Sequence, residues 1–168
     1  VNTESDVKNA LARARKAQVA WGKRSIEERV TYMEKALKIL LERQDEFVQV
    51  IMEESGKAQT EALMIEIFAA CDALRHFSRR APKILKSEKH SMHGVLAFTK
   101  RLKVNYRPLG VVGIISPWNG PFILSLNPTV QALLAGNAVL LKPSEVTPRS
   151  GGLAGKLFEA AGLPEDLL

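Results

Sequence analysis

Apolar side chains in the first eighty residues recur every three to four positions, the spacing of one face of an α-helix. Val7, Leu11, Ala14 and Val19 mark a first helix, capped by Thr3 or Ser5 and ending near Trp21-Gly22. Ser25-Ile-Glu-Glu28 is a capping box, in which the hydroxyl takes a backbone N–H and the glutamate reaches back to another. The helix it opens is expected to align Val30, Met33, Leu37, Leu40, Leu41, Phe47 and Ile51, and to stop at Gly56 in the left-handed conformation. A third helix is predicted from about Gln59 into Arg79. It turns Leu63, Ile67, Ala70, Leu74 and Phe77 inward, and Pro82 disturbs or ends it. Residues 83–97 carry no decisive pattern. In 98–107, FTKRLKVNYR, apolar and basic side chains alternate as in a half-exposed strand, read here as a β-ribbon that Pro108-Leu-Gly110 interrupts.

From Val111 the pattern changes. Val111–Ile115 is apolar throughout, as in a parallel strand covered on both faces. Pro121 suits the first turn of a following helix, and Asn127-Pro128 reads as a second helix start. Ala135-Gly136 ends that region. Residues 137–141 (NAVLL) form a second buried strand, and Lys142-Pro-Ser-Glu145 is a loop. Thr147-Pro148 caps a last helix, which closes at Gly162. Strand, helix, strand, helix is a βαβα unit with parallel strands and a right-handed crossover. The fold class is therefore α/β with an incomplete sheet. Two strands do not finish a doubly wound sheet, so the chain is expected to continue in a longer protein or to be completed by a partner. A start without methionine points the same way.

Composition changes little in this picture. At 46% hydrophobic and 25% charged residues over 168, the chain has the make-up of a soluble globular protein. No apolar run approaches the roughly 20 residues of a membrane span, and the polar opening is no signal peptide. Cys71 is the only cysteine, which excludes an internal disulfide and fits a reducing, cytoplasmic setting. Net charge is +6. Residues 109–168 hold Lys142, Arg149 and Lys156 against Glu145, Glu159, Glu165 and Asp166, a balance of −1, which leaves +7 for residues 1–108. Those basic residues interleave with acids at helical spacing, so they read as solvated helix faces; neither nucleic acid nor membrane is expected as a partner. His90 and His93 lack the further ligands of a tetrahedral site, and no metal is expected. Gly151, Gly152 and Gly155 fall inside the last helix, where close approach to the sheet is their expected use.

The candidate chemistry sits at the strand ends, because open α/β sheets bind ligands outside the carboxyl ends of their strands. Ser116-Pro-Trp-Asn119 follows the first strand and Lys142-Pro-Ser-Glu145 the second. Gly110-x-x-Gly113 is neither a dinucleotide fingerprint nor a phosphate loop. Lys142 can bond ribose hydroxyls or a phosphate, and Glu145 can accept from ribose and repel a 2′-phosphate; a solvated loop pair is the plainer reading of both. Asn119 can donate two hydrogen bonds to a developing oxyanion, yet spacing alone favours a helix cap.

At these residues the chain resembles the aldehyde dehydrogenase superfamily. PLGVVGIISPWNGPF, NPTVQALLAGNAVLLKPSEVTP and AGLPEDLL carry the likeness, and AWGKRSIEERV and ESGKAQTEA extend it to essentially the whole chain. The resemblance implies N-terminal helices (1–97), a β-ribbon used in assembly (98–108) and the first half of a Rossmann-like coenzyme-binding domain (109–168). It implies that Asn119 helps hold the substrate oxygen as it becomes an oxyanion. It implies that Ile115, Ser116, Pro117 and Trp118 line the cofactor groove, and that Lys142, Ser144 and Glu145 lie where the adenosine ribose binds. The implied cofactor is NAD, with NADP possible; the implied substrate is a small-molecule aldehyde oxidised to a carboxylate through a cysteine thioester; the implied assembly is a homo-oligomer, dimer or tetramer.

The chain also departs from the family. The nucleophile's Gly-Gln-x-Cys context and the general base's Glu-Leu-Gly-Gly context are both missing, and Cys71 in FAACDAL reads as a small buried thiol. The chain by itself is therefore expected to be inactive. Gly120 stands where an aromatic residue often follows Pro-Trp-Asn, which leaves the aldehyde open. The competing reading is a non-catalytic nucleotide-binding or assembly module built on half a coenzyme domain; a basic helical nucleic-acid binder is a weaker third.

Overall fold

A computed structural model describes residues 3–168; the first two residues of the helical segment lie outside the described residues. Helix α1 (Glu4–Trp21) starts at a capping box between Thr3 and Asp6. Helix α2 (Ile26–Glu42) starts at the predicted box, with the Glu28 N–H on Ser25 Oγ at 3.1 Å and the Ser25 N–H on Glu28 at 2.7 Å. The long helix expected to run to Gly56 is broken at Arg43, whose backbone leaves the helical region, and α3 (Gln44–Ser55) follows. The break removes Leu41 from the inward face and leaves it exposed, while Met33, Leu40, Phe47 and Ile51 are buried. Gly56 ends α3 at φ +71° as expected.

The next helical stretch is not a uniform α-helix. A short turn α4 (Gln59–Glu61) runs into a π-helical segment, Ala62–Phe68, and then α5 (Ala69–Ile84). Pro82 lies inside α5 and does not end it. Its missing N–H falls in the last turn, where Leu85 N still reaches Ala81 O at 2.9 Å. The expected ribbon is short. Strand β1 (Glu88–His90) pairs antiparallel with β2 (Leu102–Val104), and both are exposed along their length.

Strand β3 (Val111–Ile115) and β4 (Ala138–Lys142) pair in parallel, register Val111↔Ala138 through Ile115↔Lys142. Coverage on both faces is not complete: Ile114 is buried, but Ile115 is 81% exposed. Helix α6 (Ile123–Leu134) is one helix, and Asn127-Pro128 starts no second one. A proline inside a helix costs about 3 kcal/mol. Leu126, Val130 and Leu133 are fully buried around it, at roughly 1.5–3 kcal/mol each, which outweighs the penalty. Helix α7 (Pro148–Ala160) completes the unit.

One core joins the helices to the sheet. Helices α1 and α6 both pack on β3 and β4, and α2, α5 and α7 pack around α6. Trp21, 1% exposed, donates Nε1–H to Leu133 O at 2.9 Å and meets Tyr32 edge-on. Buried Arg29 donates to Leu134 O at 2.9 Å and to Arg24 O at 2.8 Å. A cation on the last carbonyls of α6 suits the negative end of the helix dipole. Among the described residues, no helix is long and apolar enough to cross a membrane.

Candidate active site

Because β3 and β4 are parallel and end in register, both polar loops leave the sheet at the same edge. The Ser116 N–H reaches Lys142 O at 3.1 Å, continuing the pairing one residue past Ile115. Ser116 is buried, and its Oγ lies 2.7 Å from Ser125 Oγ, which in turn bonds Pro121 O at 2.6 Å. Ser125 has one hydroxyl proton, and a carbonyl can only accept it, so Ser116 is the donor between the two serines. This relay ties the strand end to the first turn of α6.

Between those anchors, Pro117, Trp118 and Asn119 are exposed, Trp118 at 60%. With Ile115 they leave an apolar surface standing at the sheet edge. Asn119 does not cap α6, contrary to what spacing alone favours. The N–H groups of Phe122 and Ile123 are taken by Glu66 Oε2 at 3.1 and 3.0 Å. Glu66 is completely buried and ion-paired with Lys57, and Lys57 Nζ also donates to Asn119 O at 2.8 Å. The Asn119 side chain is thus left free at the surface while its backbone is held.

Lys57 and Glu66 were missed by sequence reasoning. The usable signal was Glu66 itself, a carboxylate inside the apolar run ALMIEIF, since a charge buried in such a run requires a partner. Where that partner sits depends on the π-helical turn, which period-based reading does not resolve.

On the second loop, the Lys142 Nζ–Glu145 Oε2 distance is 2.7 Å, with both side chains well exposed. The hydrogen bond from Lys142 holds the Glu145 carboxyl below its usual range, so it is charged at neutral pH. Ser144 is buried, and its Oγ accepts the Val146 N–H at 3.2 Å, folding the loop back toward α7. Thr147 does not cap α7 with its side chain. Glu54 of α3 does so, accepting from Arg149 N at 2.9 Å and Ser150 N at 2.6 Å. Cys71 is half-buried in α5, and burial pushes its thiol up, away from the reactive thiolate. Among the described residues, no three His, Cys, Asp or Glu side chains converge as a metal would require.

An exposed ammonium beside an exposed carboxylate is a donor–acceptor pair of the kind a ribose diol takes, and the open apolar plate of Ile115 and Trp118 stands on the same edge. The donor and acceptor types present are those that a dinucleotide's ribose requires.

The profile described as "Aldehyde dehydrogenase family" matches residues 1–168. A Mycolicibacterium smegmatis protein named "Putative succinate-semialdehyde dehydrogenase [NADP(+)]" is 40% identical over 167 residues, 99% of this chain and 32% of the relative. The 4,4'-diapolycopene aldehyde oxidase of a Methylomonas species is 39% identical over 96% of this chain and 31% of its own length. The crystal structure of an NAD-dependent benzaldehyde dehydrogenase from Corynebacterium glutamicum superposes with a TM-score of 0.86 at 32% identity, over 97% of this chain and 35% of that one. The chain thus spans about a third of the length of the relatives it matches.

Proposed function

The chain belongs to the aldehyde dehydrogenase family, and on that premise we propose that it forms the amino-terminal part of an enzyme that oxidises an aldehyde to a carboxylate with NAD, or NADP, as electron acceptor. The observation that carries this reading is the parallel register of β3 and β4. It brings the Asn119 loop and the Lys142–Glu145 loop to one edge of the sheet.

In this reading a cysteine thiolate outside these 168 residues attacks the aldehyde carbon, and the carbonyl electrons move onto oxygen. The free Asn119 amide donates to that oxygen as its charge grows, which stabilises the transition state more than the ground state. A bound nicotinamide would supply the hydride acceptor. Ile115–Trp118 would form its apolar wall, Lys142 and Glu145 would bond the ribose hydroxyls, and the buried Ser144 shapes their loop. Glu145, charged and exposed, favours NAD over the 2′-phosphorylated form. Water, activated by a glutamate also outside this chain, then releases the acid. Cys71 does not replace the nucleophile, because its thiol is pushed up by burial and it lies in α5. The segment alone is therefore inactive. We assign the exposed β1–β2 ribbon to homo-oligomer assembly, and a reducing cytoplasmic setting suits the lone thiol.

The test is aldehyde-dependent reduction of NAD and NADP by the complete protein, over a panel of propanal, hexanal, benzaldehyde and succinic semialdehyde. Asn119→Ala should lower turnover by about 10²–10³-fold, the scale for losing one oxyanion donor. Near-normal turnover, with chemistry shown to be rate-limiting, would refute its role. A protein that binds NAD but oxidises no aldehyde would instead be a nucleotide-binding module.

A further inference from the structure

We infer that Lys57 and Glu66 are positioning residues for the Asn119 amide, an inference that rests on the reading of Asn119 as the oxyanion donor. Glu66 has no exposed side-chain surface, and Lys57 is 10% exposed. Taking both charges out of water costs several kcal/mol per ion, and well-packed apolar residues often serve stability as well or better. Stability alone therefore does not account for the pair. What an apolar pair cannot supply is the set of bonds it makes to the chain around the site. Lys57 Nζ donates to Asn119 O, and Glu66 Oε2 accepts from Phe122 N and Ile123 N. The two sides of Gly120-Pro121 are thus fastened to one buried ion pair.

The fastening matters because of what surrounds Asn119. Residues 116–122 form an irregular loop between β3 and α6, and Asn119 is exposed within it. A donor acts on an oxyanion only if it is placed within a fraction of an ångström before the charge appears. Holding Asn119 by its carbonyl fixes the backbone and leaves the amide free to face substrate. The π-helical turn fits the same role. Ala62, Glu66 and Ile67 are buried from that segment, while Met64, Ile65 and Phe68 stay exposed, so the turn directs the one carboxylate inward. Single π turns inside helices occur frequently at functional sites. Lys57 directly follows Gly56, whose positive φ turns the chain out of α3 toward the loop. Lys57 and Glu66 touch the Asn119 loop through its backbone and act through Asn119.

The experiment uses the complete protein, with the panel aldehyde it oxidises fastest. Lys57→Met, Glu66→Gln and Asn119→Ala are made singly, and the first two are also combined with Asn119→Ala. Single-turnover rates, KM and cofactor affinity are measured, with amide exchange over residues 119–123. Lys57→Met and Glu66→Gln should slow the chemical step by roughly 10- to 100-fold, the scale of a small misplacement of a catalytic group. Cofactor affinity should hold, and exchange at 119–123 should rise. On the Asn119→Ala background each should add no more than about twofold, because the group being positioned is already gone. Lys57→Arg, which keeps a cation and its donors, should recover most of the rate. Glu66→Gln preserves shape and an acceptor for the α6 N–H groups, so it carries the test if Lys57→Met does not fold. Losses that multiply fully with Asn119→Ala, or single variants with unchanged rates, overturn the inference while leaving the role of Asn119 intact. Full activity of Asn119→Ala overturns the oxyanion reading, and this inference with it.

Discussion

Helix α7 offers a contrast between a cap legible in sequence and the cap the fold uses. Thr147-Pro148 has the residue types of an N-terminus, but Thr147 Oγ1 is buried without a protein partner, and Glu54 takes the N–H groups of Arg149 and Ser150. Replacing Glu54 by Ala removes two acceptor contacts and a negative charge at the positive end of the helix. Loss of an N-cap costs about 0.5–2 kcal/mol, and the dipole adds about 0.3–1 kcal/mol. With Glu54 half-buried, water recovers part of this, and a net cost of about 2 kcal/mol is expected. The exposed Glu53–Arg149 pair nearby contributes little of it. At 1.4 kcal/mol per decade, amide exchange at Arg149 and Ser150 should speed up about 30-fold. Thr147→Val should be near neutral, since it deletes a buried hydroxyl that bonds nothing in the protein. The effect also has a pH signature. Burial raises the Glu54 carboxyl, but the bonds from Ser150 and Arg149 outweigh it and hold the net value below the ordinary range. Its stabilisation is therefore complete above the unfolded carboxyl's range and fades as pH falls through the lower folded value. Glu54→Gln should lose that dependence. Urea unfolding and amide exchange of the three variants at several pH values provide the check. A Thr147→Val variant less stable than Glu54→Ala would refute the assignment.

Two further substitutions separate the fold from the site. Gly136 has φ +87°, and an added Cβ would lie 3.0 Å from Pro108 Cγ and 3.1 Å from Arg29 Nη1. Gly136→Ala should cost about 2 kcal/mol in backbone strain and crowding, lowering Tm by about 4–8 °C; an unchanged melting curve would contradict it. On the proposed placing of Glu145 at the ribose, Glu145→Ser removes a charge that would oppose a 2′-phosphate, so the NADP-to-NAD ratio of kcat/KM in the complete protein should rise. An unchanged ratio would count against Glu145 at the ribose.

The features legible in the sequence are those settled by contacts three or four residues long. The Ser25–Glu28 capping box, the left-handed stop at Gly56 and the end of α6 at Gly136 each depend on their immediate neighbours, and each stands where the residues predicted. The pairing of β3 with β4 was legible for a different reason, since two short apolar strands around a helix leave few other topologies. The misreadings share the opposite character. Pro82 and Pro128 are helix breakers by local rule, yet the burial of α5 and α6 against the rest of the core overrides them. The break at Arg43 has no punctuating glycine or proline to announce it.

The two caps that frame the candidate site are the clearest instance. Glu66 reaches Phe122 across 56 positions, and Glu54 reaches Ser150 across 96. No pattern within a helical window encodes either contact. In both cases a carboxylate from the N-terminal helical layer replaces the local cap that spacing favoured, Asn119 in one loop and Thr147 in the other. That substitution bears on the proposed role of Asn119. An asparagine that capped its own helix would have its side chain occupied by the backbone and unable to meet a substrate oxygen. By supplying the cap at α6 from the π-helical turn, the helical layer leaves the Asn119 side chain free at the surface, as its proposed role requires. It also ties the Asn119 loop and the start of α7 to the same helical layer. The N-terminal helices are therefore part of what orders the loops at this sheet edge, and changes within them should register at those loops before they register as global unfolding.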